Sequence, residues 1–198
     1  MNNLFDIACN FSSDRFDKDL DAVIERAKIN NVNKFLIVSA SLNDFEKTYN
    51  IYKSNLKEAF FSIGTHPHHA DEINEQQIKN MRRLVGEHNP SCIGETGLDF
   101  FRNLSSHDEQ TYAFQEQIKI AIDFNKPLYL HQRDSHSEFM KIISEYKDYL
   151  PKSVVHCFTG TQSELEDYLD LGFYIGLTGW VCDERRNVEL RQSIKNIP

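Results

Sequence analysis

Tryptophan occurs once, cysteine four times, proline five times and glycine eight times in 198 residues. So little glycine and proline excludes collagen-like and low-complexity chains. The four cysteines (Cys9, Cys92, Cys157, Cys182) are far apart and form no Cys-x-x-Cys pair, so reduced thiols in a cytoplasmic protein are expected. No apolar run approaches the ~20 residues that cross a bilayer, so a membrane is not an expected partner. The opening Met1-Asn2-Asn3-Leu4-Phe5-Asp6 has no basic segment followed by an apolar one, which speaks against a signal peptide. Positive charge is also scarce: 22 Lys and Arg against 30 Asp and Glu leave a net charge of −8. Proteins that coat nucleic acid are usually basic, because neutralised phosphates supply that affinity. This chain can handle a polyanion only at a local site, with help from cations.

Hydrophobic residues make up 40% of the chain and charged residues 26%, which excludes intrinsic disorder. Surface scaling buries roughly 71% of a chain this long, enough for one full core without staples. Seven short apolar runs read as strands: Leu4–Cys9, Lys34–Ala40, Ala59–Thr65, Ser91–Leu98, Pro127–His131, Ser153–Phe158 and Phe173–Thr178. They are nearly continuous in apolar residues, as parallel strands covered on both faces should be. Helical stripes lie between them. Phe16, Leu20, Val23 and Ala27 make one, Phe45, Tyr49 and Tyr52 a second, and Ile78, Met81, Leu84 and Val85 a third. Phe114, Ile118, Ala121 and Ile122 make a fourth, followed by Phe139, Ile142, Ile143 and Tyr146. Ser41 with Asp44 is placed to cap the second helix, and Gly172 to stop the sixth. The strand starts recur every 28 residues or so, against ~31 for a (β/α)₈ barrel. An open doubly wound sheet shares that rhythm, so counting alone does not choose.

The polar groups do. Strand three ends in Gly64-Thr65-His66-Pro67-His68-His69, strand four in Glu95-Thr96-Gly97-Leu98-Asp99, strand five in His131-Gln132-Arg133-Asp134 and strand six in His156-Cys157-Phe158-Thr159-Gly160. Separations of 29, 36 and 25 residues set one candidate ligand per β/α unit. A barrel collects such strand ends in one mouth, whereas an open sheet spreads them along an edge. Two imidazoles and a carboxylate form a three-ligand set with positions left for water. Glu95, His131 and His156 are the expected metal ligands, with His66 beside them. A single strand-end histidine is commonly a hydrogen-bonded surface residue; His68 and His69 are left open, one of them a candidate for the mouth and His69 equally placed to face water. Three histidines in register with a glutamate are a different matter.

Thr65-His66-Pro67, Gly94-Glu95-Thr96-Gly97-Leu98-Asp99, His131-Gln132-Arg133-Asp134 and His156-Cys157-Phe158-Thr159-Gly160 resemble the signature blocks of the TatD family of metal-dependent deoxyribonucleases. Phe5-Asp6-Ile7-Ala8-Cys9-Asn10 and the run from Ile175 to Arg186 extend the likeness along the whole chain. The resemblance implies a single α/β domain with the (β/α)₈ TIM-type barrel of metal-dependent hydrolases. It also implies a cytoplasmic, monomeric 3′–5′ exonuclease on single-stranded DNA or RNA. Its cofactor would be a divalent ion, Mg²⁺ first, with Mn²⁺ or Zn²⁺ as alternatives. On that reading His66 contacts the scissile phosphate or its water, and Arg133 and Arg102 hold phosphate oxygens. The alternative for each arginine is a solvated surface charge. Asp99 serves as a base or ligand-orienting group, or only buttresses its loop. Trp180 stacks on an unpaired base or packs a loop, and Arg185 and Arg186 pair locally with Asp183 and Glu184.

Two departures qualify the resemblance. Family members typically open with Asp-x-His-x-His, where this chain has Ala8 and Asn10, so one tight ion or a lopsided pair is expected. The family's Glu-Thr-Asp-x-Pro block does not occur before Pro198, so the barrel is expected to lack its last β/α unit and to leave strands one and seven with unpaired edges. Two further functions compete with a nuclease. One is an amidohydrolase-type enzyme acting on a small ester, amide or lactone; the other is a catalytically inactive, truncated fragment. Diester against ester substrates separate the first, and metal-dependent melting the second.

Overall fold

The computed structural model describes residues 4–55, 57–185 and 187–198. Met1, Asn2 and Asn3 of the opening segment and Arg186 of the arginine pair lie outside the described residues. Seven strands run parallel in sequential order: β1 (Leu4–Cys9), β2 (Val32–Ile37), β3 (Ala59–Ile63), β4 (Cys92–Asp99), β5 (Leu128–Arg133), β6 (Val154–Val155) and β7 (Tyr174–Ile175). Parallel neighbours need crossover connections. α1 (Leu20–Ile29), α2 (Phe45–Ser54), α3 (Glu75–His88), α4 (His107–Asp123), α5 (His136–Tyr146) and α6 (Gln162–Asp170) supply them, and α7 (Val188–Ser193) follows β7.

The sheet curls as a barrel does. The Glu95 amide of β4 donates to the Ser39 carbonyl beyond β2 at 3.2 Å, reaching past the intervening β3. The side chains of His66 after β3 and His156 after β6 also reach the same Glu95 oxygen, although a flat sheet would hold those strands roughly 14 Å apart. Outside the curl, the expected stripes of α3, α4 and α5 form the main core: Ile78, Met81, Leu84, Val85, Phe114, Ile118, Ala121, Phe139, Ile142 and Ile143 are all buried. Phe16, Leu20, Val23 and Ala27 pack on a smaller cluster with Phe11, Ile24 and Phe35. A third cluster contains Leu36, Val38, Cys92 and Tyr129, with Ile7, Phe60 and Val154 packed against it.

Four local expectations are corrected. β2 begins at Val32 and leaves the ladder at Ile37, because the Ser39 amide and hydroxyl bond Ser62 instead of a regular strand partner. β6 and β7 keep only two paired residues each, since the chain leaves the ladder to form the loops that carry the polar groups. β1 is not covered on both faces: it is the sheet edge, and Leu4 and Phe5 stay 55% and 46% exposed. Ser41 caps the short 3₁₀ turn Leu42–Asp44 through the Asn43 amide, and α2 starts after it without a side-chain cap. Gly172 behaves as expected. With φ at 71°, it ends α6 in a Schellman motif: its amide bonds Leu169 at 2.8 Å and that of Phe173 bonds Tyr168 at 3.0 Å.

Candidate metal centre

β4 brings the first ligand candidate. All eight of its residues are buried, and two must be glycine. Gly94 and Gly97 have φ near 140°, and a Cβ on either would overlap the Tyr129 or His131 carbonyl oxygen of β5. That close approach sets Glu95 beside the ends of β3, β5 and β6. Its Oε1 lies 2.6 Å from His156 Nε2, 3.0 Å from His131 Nδ1 and 3.2 Å from His66 Nε2. His131 Nδ1 is in turn 3.3 Å from His156 Nε2.

Two of the spacings among Glu95, His131 and His156 suit a cation, and the third, 2.6 Å between Glu95 and His156, is a short hydrogen bond that an ion would open. With metal–donor bonds of about 2.1 Å, neighbouring donors around one ion lie about 3.0–3.4 Å apart. The tautomers also suit one. Asp99 Oδ2 lies 3.3 Å from His131 Nε2, so the ring donates there, and an ion displacing the Nδ1 proton would find that nitrogen facing Glu95 and His156. His156 Nδ1 is buried without a hydrogen-bond partner, and its ring stacks on Tyr129 at 4.6 Å between centroids. Glu95 Oε1, His131 Nδ1 and His156 Nε2 thus converge within 2.6–3.3 Å, held by protons that a divalent ion can replace.

His66 is placed differently. It opens the 3₁₀ turn Pro67–Glu72, and its Nδ1 accepts the His68 backbone N–H at 3.0 Å. The ring proton therefore sits on Nε2 and donates to Glu95. Geometrically, His66, Glu95 and His131 also form a group able to hold an ion, but that would require His66 to give up the Nε2 proton. Burial drives the His66 imidazole down to about 4, against the pull of Glu95, so the ring is neutral at neutral pH. His131 is likewise opposed by burial, yet Asp99 and Glu95 hold it up at about 9. Burial disfavours charge on Glu95, but His156, His131 and His66 together keep its carboxyl well below the usual range. Asp99 is held low in the same way, against burial, by His131, the Arg102 amide and His68.

Asp99 both orients and buttresses. Its Oδ1 accepts the Phe101 and Arg102 amides at 3.1 and 2.8 Å, while Oδ2 meets His68 Nε2 at 2.8 Å as well as His131. Arg102 therefore reaches the centre through its backbone; its side chain is exposed and does not line the cleft beside His131. Arg133 does line that cleft, with its guanidinium 3.8 Å from the Phe101 ring centroid. The cleft has a volume of about 450 Å³ and extends from His131 and His156 toward Trp180 and Leu190. His69 faces solvent and pairs with Glu72 at 3.0 Å, and Arg185 pairs with Asp183 at 2.7 Å. Ala8 and Asn10, at the end of β1, are exposed.

Sequence reasoning missed two residues that hold this arrangement. Gln110 and Gln117 of α4 are completely buried. Gln110 accepts the Asp99 amide at 2.8 Å and donates to the Asp99 and Ser105 carbonyls. Gln117 accepts the Thr65 amide at 2.8 Å and donates to the Thr65 carbonyl at 3.0 Å. Two amides seven residues apart, interrupting the apolar face of α4, were the available signal. His68, left open from sequence, belongs to the centre through Asp99.

The TatD related DNase family model matches residues 5–198. The 3′–5′ ssDNA/RNA exonuclease TatD of Cronobacter sakazakii is 41% identical over 195 residues, covering 98% of this chain and 74% of that protein. The protein of the same name from Pantoea ananatis is 40% identical, over 98% of this chain and 75% of its own. Among solved structures, a TatD-family hydrolase from Entamoeba histolytica has a TM-score of 0.86 at 28% identity, covering all of this chain and 71% of that one. A TatD homologue from Escherichia coli K12 has a TM-score of 0.89 at 24% identity, over 98% of this chain and 75% of its own, and supports the fold alone.

Proposed function

This chain belongs to the TatD related DNase family, and on that premise we propose that it hydrolyses single-stranded DNA or RNA from the 3′ end with a bound divalent ion. The observation that carries the reading is the meeting of Glu95, His131 and His156 within 2.6–3.3 Å, with Asp99 behind His131. Those three residues would hold the ion. When bound, it supplies Lewis-acid polarisation of a phosphoryl oxygen and makes water more acidic.

The chain's own groups do the rest. Asp99 holds a proton on His131 Nε2, so the proton His131 would give up to an ion is the one on Nδ1. His66 presents a neutral Nε2–H donor at the centre, able to bind a phosphate oxygen or orient the attacking water. The Arg133 guanidinium is steadied by the Phe101 ring and offers forked donors to a phosphate beside His131. Arg102 supplies positive charge from outside the cleft. Mg²⁺ is the proposed physiological ion, although an imidazole-rich set also takes Mn²⁺ or Zn²⁺. We place the activity in a monomeric, cytoplasmic, single-domain protein; no described helix is long and apolar enough to cross a membrane.

The test is a metal-stripped preparation given Mg²⁺, Mn²⁺ or Zn²⁺ and a 5′-labelled single-stranded oligonucleotide. Stepwise shortening from the 3′ end is expected, with none in chelator. Glu95→Gln should abolish shortening together with the ion-induced rise in Tm. Full activity of the Glu95→Gln variant would refute the assignment.

A further inference from the structure

Phe101 is a large aromatic side chain left largely exposed beside the centre. It lies two residues after the buried Asp99, is 59% exposed, and forms one side of the cleft that opens from His131 and His156. Its ring carries the Arg133 guanidinium at 3.8 Å, which makes a flat surface, part aromatic and part cationic, next to the metal centre. Most of the remaining charges along the cleft have the opposite sign. Among its described lining residues, Asp134, Glu164 and Glu189 outnumber Arg133 and the protonated His131. A series of phosphates running through this space would meet net negative charge, whereas one phosphate beside Arg133 would not. A neutral base and sugar, with hydroxyls to donate to carboxylates, fits the remainder. The volume of about 450 Å³ suits a small ligand rather than a long strand.

We propose that this cleft binds the 3′-terminal nucleoside of the substrate strand, with its base stacked against the Phe101–Arg133 pair. The proposal rests on the exonuclease reading and adds the part of the substrate that this side of the centre accepts. Every base has a π-face, so such a platform grips a terminal nucleotide without selecting its sequence. It also explains a preference for ends: the strand continues away from the acidic cleft, and only its last unit enters.

Phe101→Ala and Phe101→Trp test it, since an exposed side chain can change without emptying the core; circular dichroism verifies the fold. The first probe is 2-aminopurine deoxynucleoside 5′-monophosphate, whose fluorescence is quenched on stacking. Wild type and Phe101→Trp should quench it, and Phe101→Ala should bind it about ten-fold more weakly. The second readout is KM for a 5′-labelled oligonucleotide with a natural 3′ base against one with an abasic 3′ end. Wild type should favour the natural end about ten-fold, and in Phe101→Ala that ratio should fall toward one. If wild type shortens strands but neither readout depends on Phe101, the nucleoside site is overturned and the exonuclease stands. If no divalent ion supports shortening while quenching depends on Phe101, the exonuclease reading falls and the nucleoside pocket survives. Absence of both overturns both.

Discussion

Replacing Asp99 with Asn tests how the centre is built, because it removes a charge while keeping the shape. Asp99 is buried and accepts from two backbone amides through Oδ1 and from His68 and His131 through Oδ2. The backbone amides at 3.1 and 2.8 Å keep the remaining carbonyl oxygen of Asn on their side. Its NH₂ group then faces His131 Nε2, and two donors oppose each other. His131 relieves the conflict by giving up its Nε2 proton and keeping the one on Nδ1, which points at Glu95 and blocks the position needed for an ion. Loss of such a supporting carboxylate typically costs about 10–100-fold in metal affinity, or roughly 1.4–2.7 kcal/mol. Titration calorimetry with Mn²⁺ on metal-stripped wild type and Asp99→Asn measures that loss directly. A well-folded variant with affinity within about two-fold of wild type would refute the tautomer argument.

Two further outcomes follow from burial. Gln110→Leu strips partners from the Asp99 amide and from the Asp99 and Ser105 carbonyls, so a destabilisation of about 3 kcal/mol is expected in urea unfolding; a change below about 1 kcal/mol would show that water substitutes. Thiol reactivity should divide the cysteines: burial pushes the Cys92 thiol up to about 12, so it stays protonated and unreactive at pH 8, while exposed Cys182 is alkylated first. Peptide mass spectrometry after brief iodoacetamide treatment reads this order, and early labelling at Cys92 would contradict the packing described.

The strand order and the convergence of Glu95, His131 and His156 were legible because each of these side chains follows or closes an apolar run, and the runs recur at a β/α spacing. Polar residues at the close of such runs leave a signal that periodicity can detect. The glutamines of α4 were less legible, since an amide on an apolar face has meaning only once the loops it meets are known. The edge position of β1 was expected of an unclosed barrel, but the exposure of Leu4 and Phe5 was not, since their strand-like composition reads as covered on both faces. The tautomer of His66 depends on a backbone N–H two residues away, which no spacing rule reports. Arg102 was placed correctly along the chain, but its side-chain direction followed from the turn that Asp99 fastens.

Gln110 and Gln117 lie on one rigid rod and grip the loops that carry Asp99 and His66. The proton donor on one flank and the orienting carboxylate on the other are therefore tied to a common strut outside the barrel. If α4 slides, both flanks travel with it, so the spacing between them survives small strains that would distort a centre hung from independent loops. Loosening either anchor should let one flank drift relative to the other, and damage would reach the chemistry from a helix that never touches the substrate.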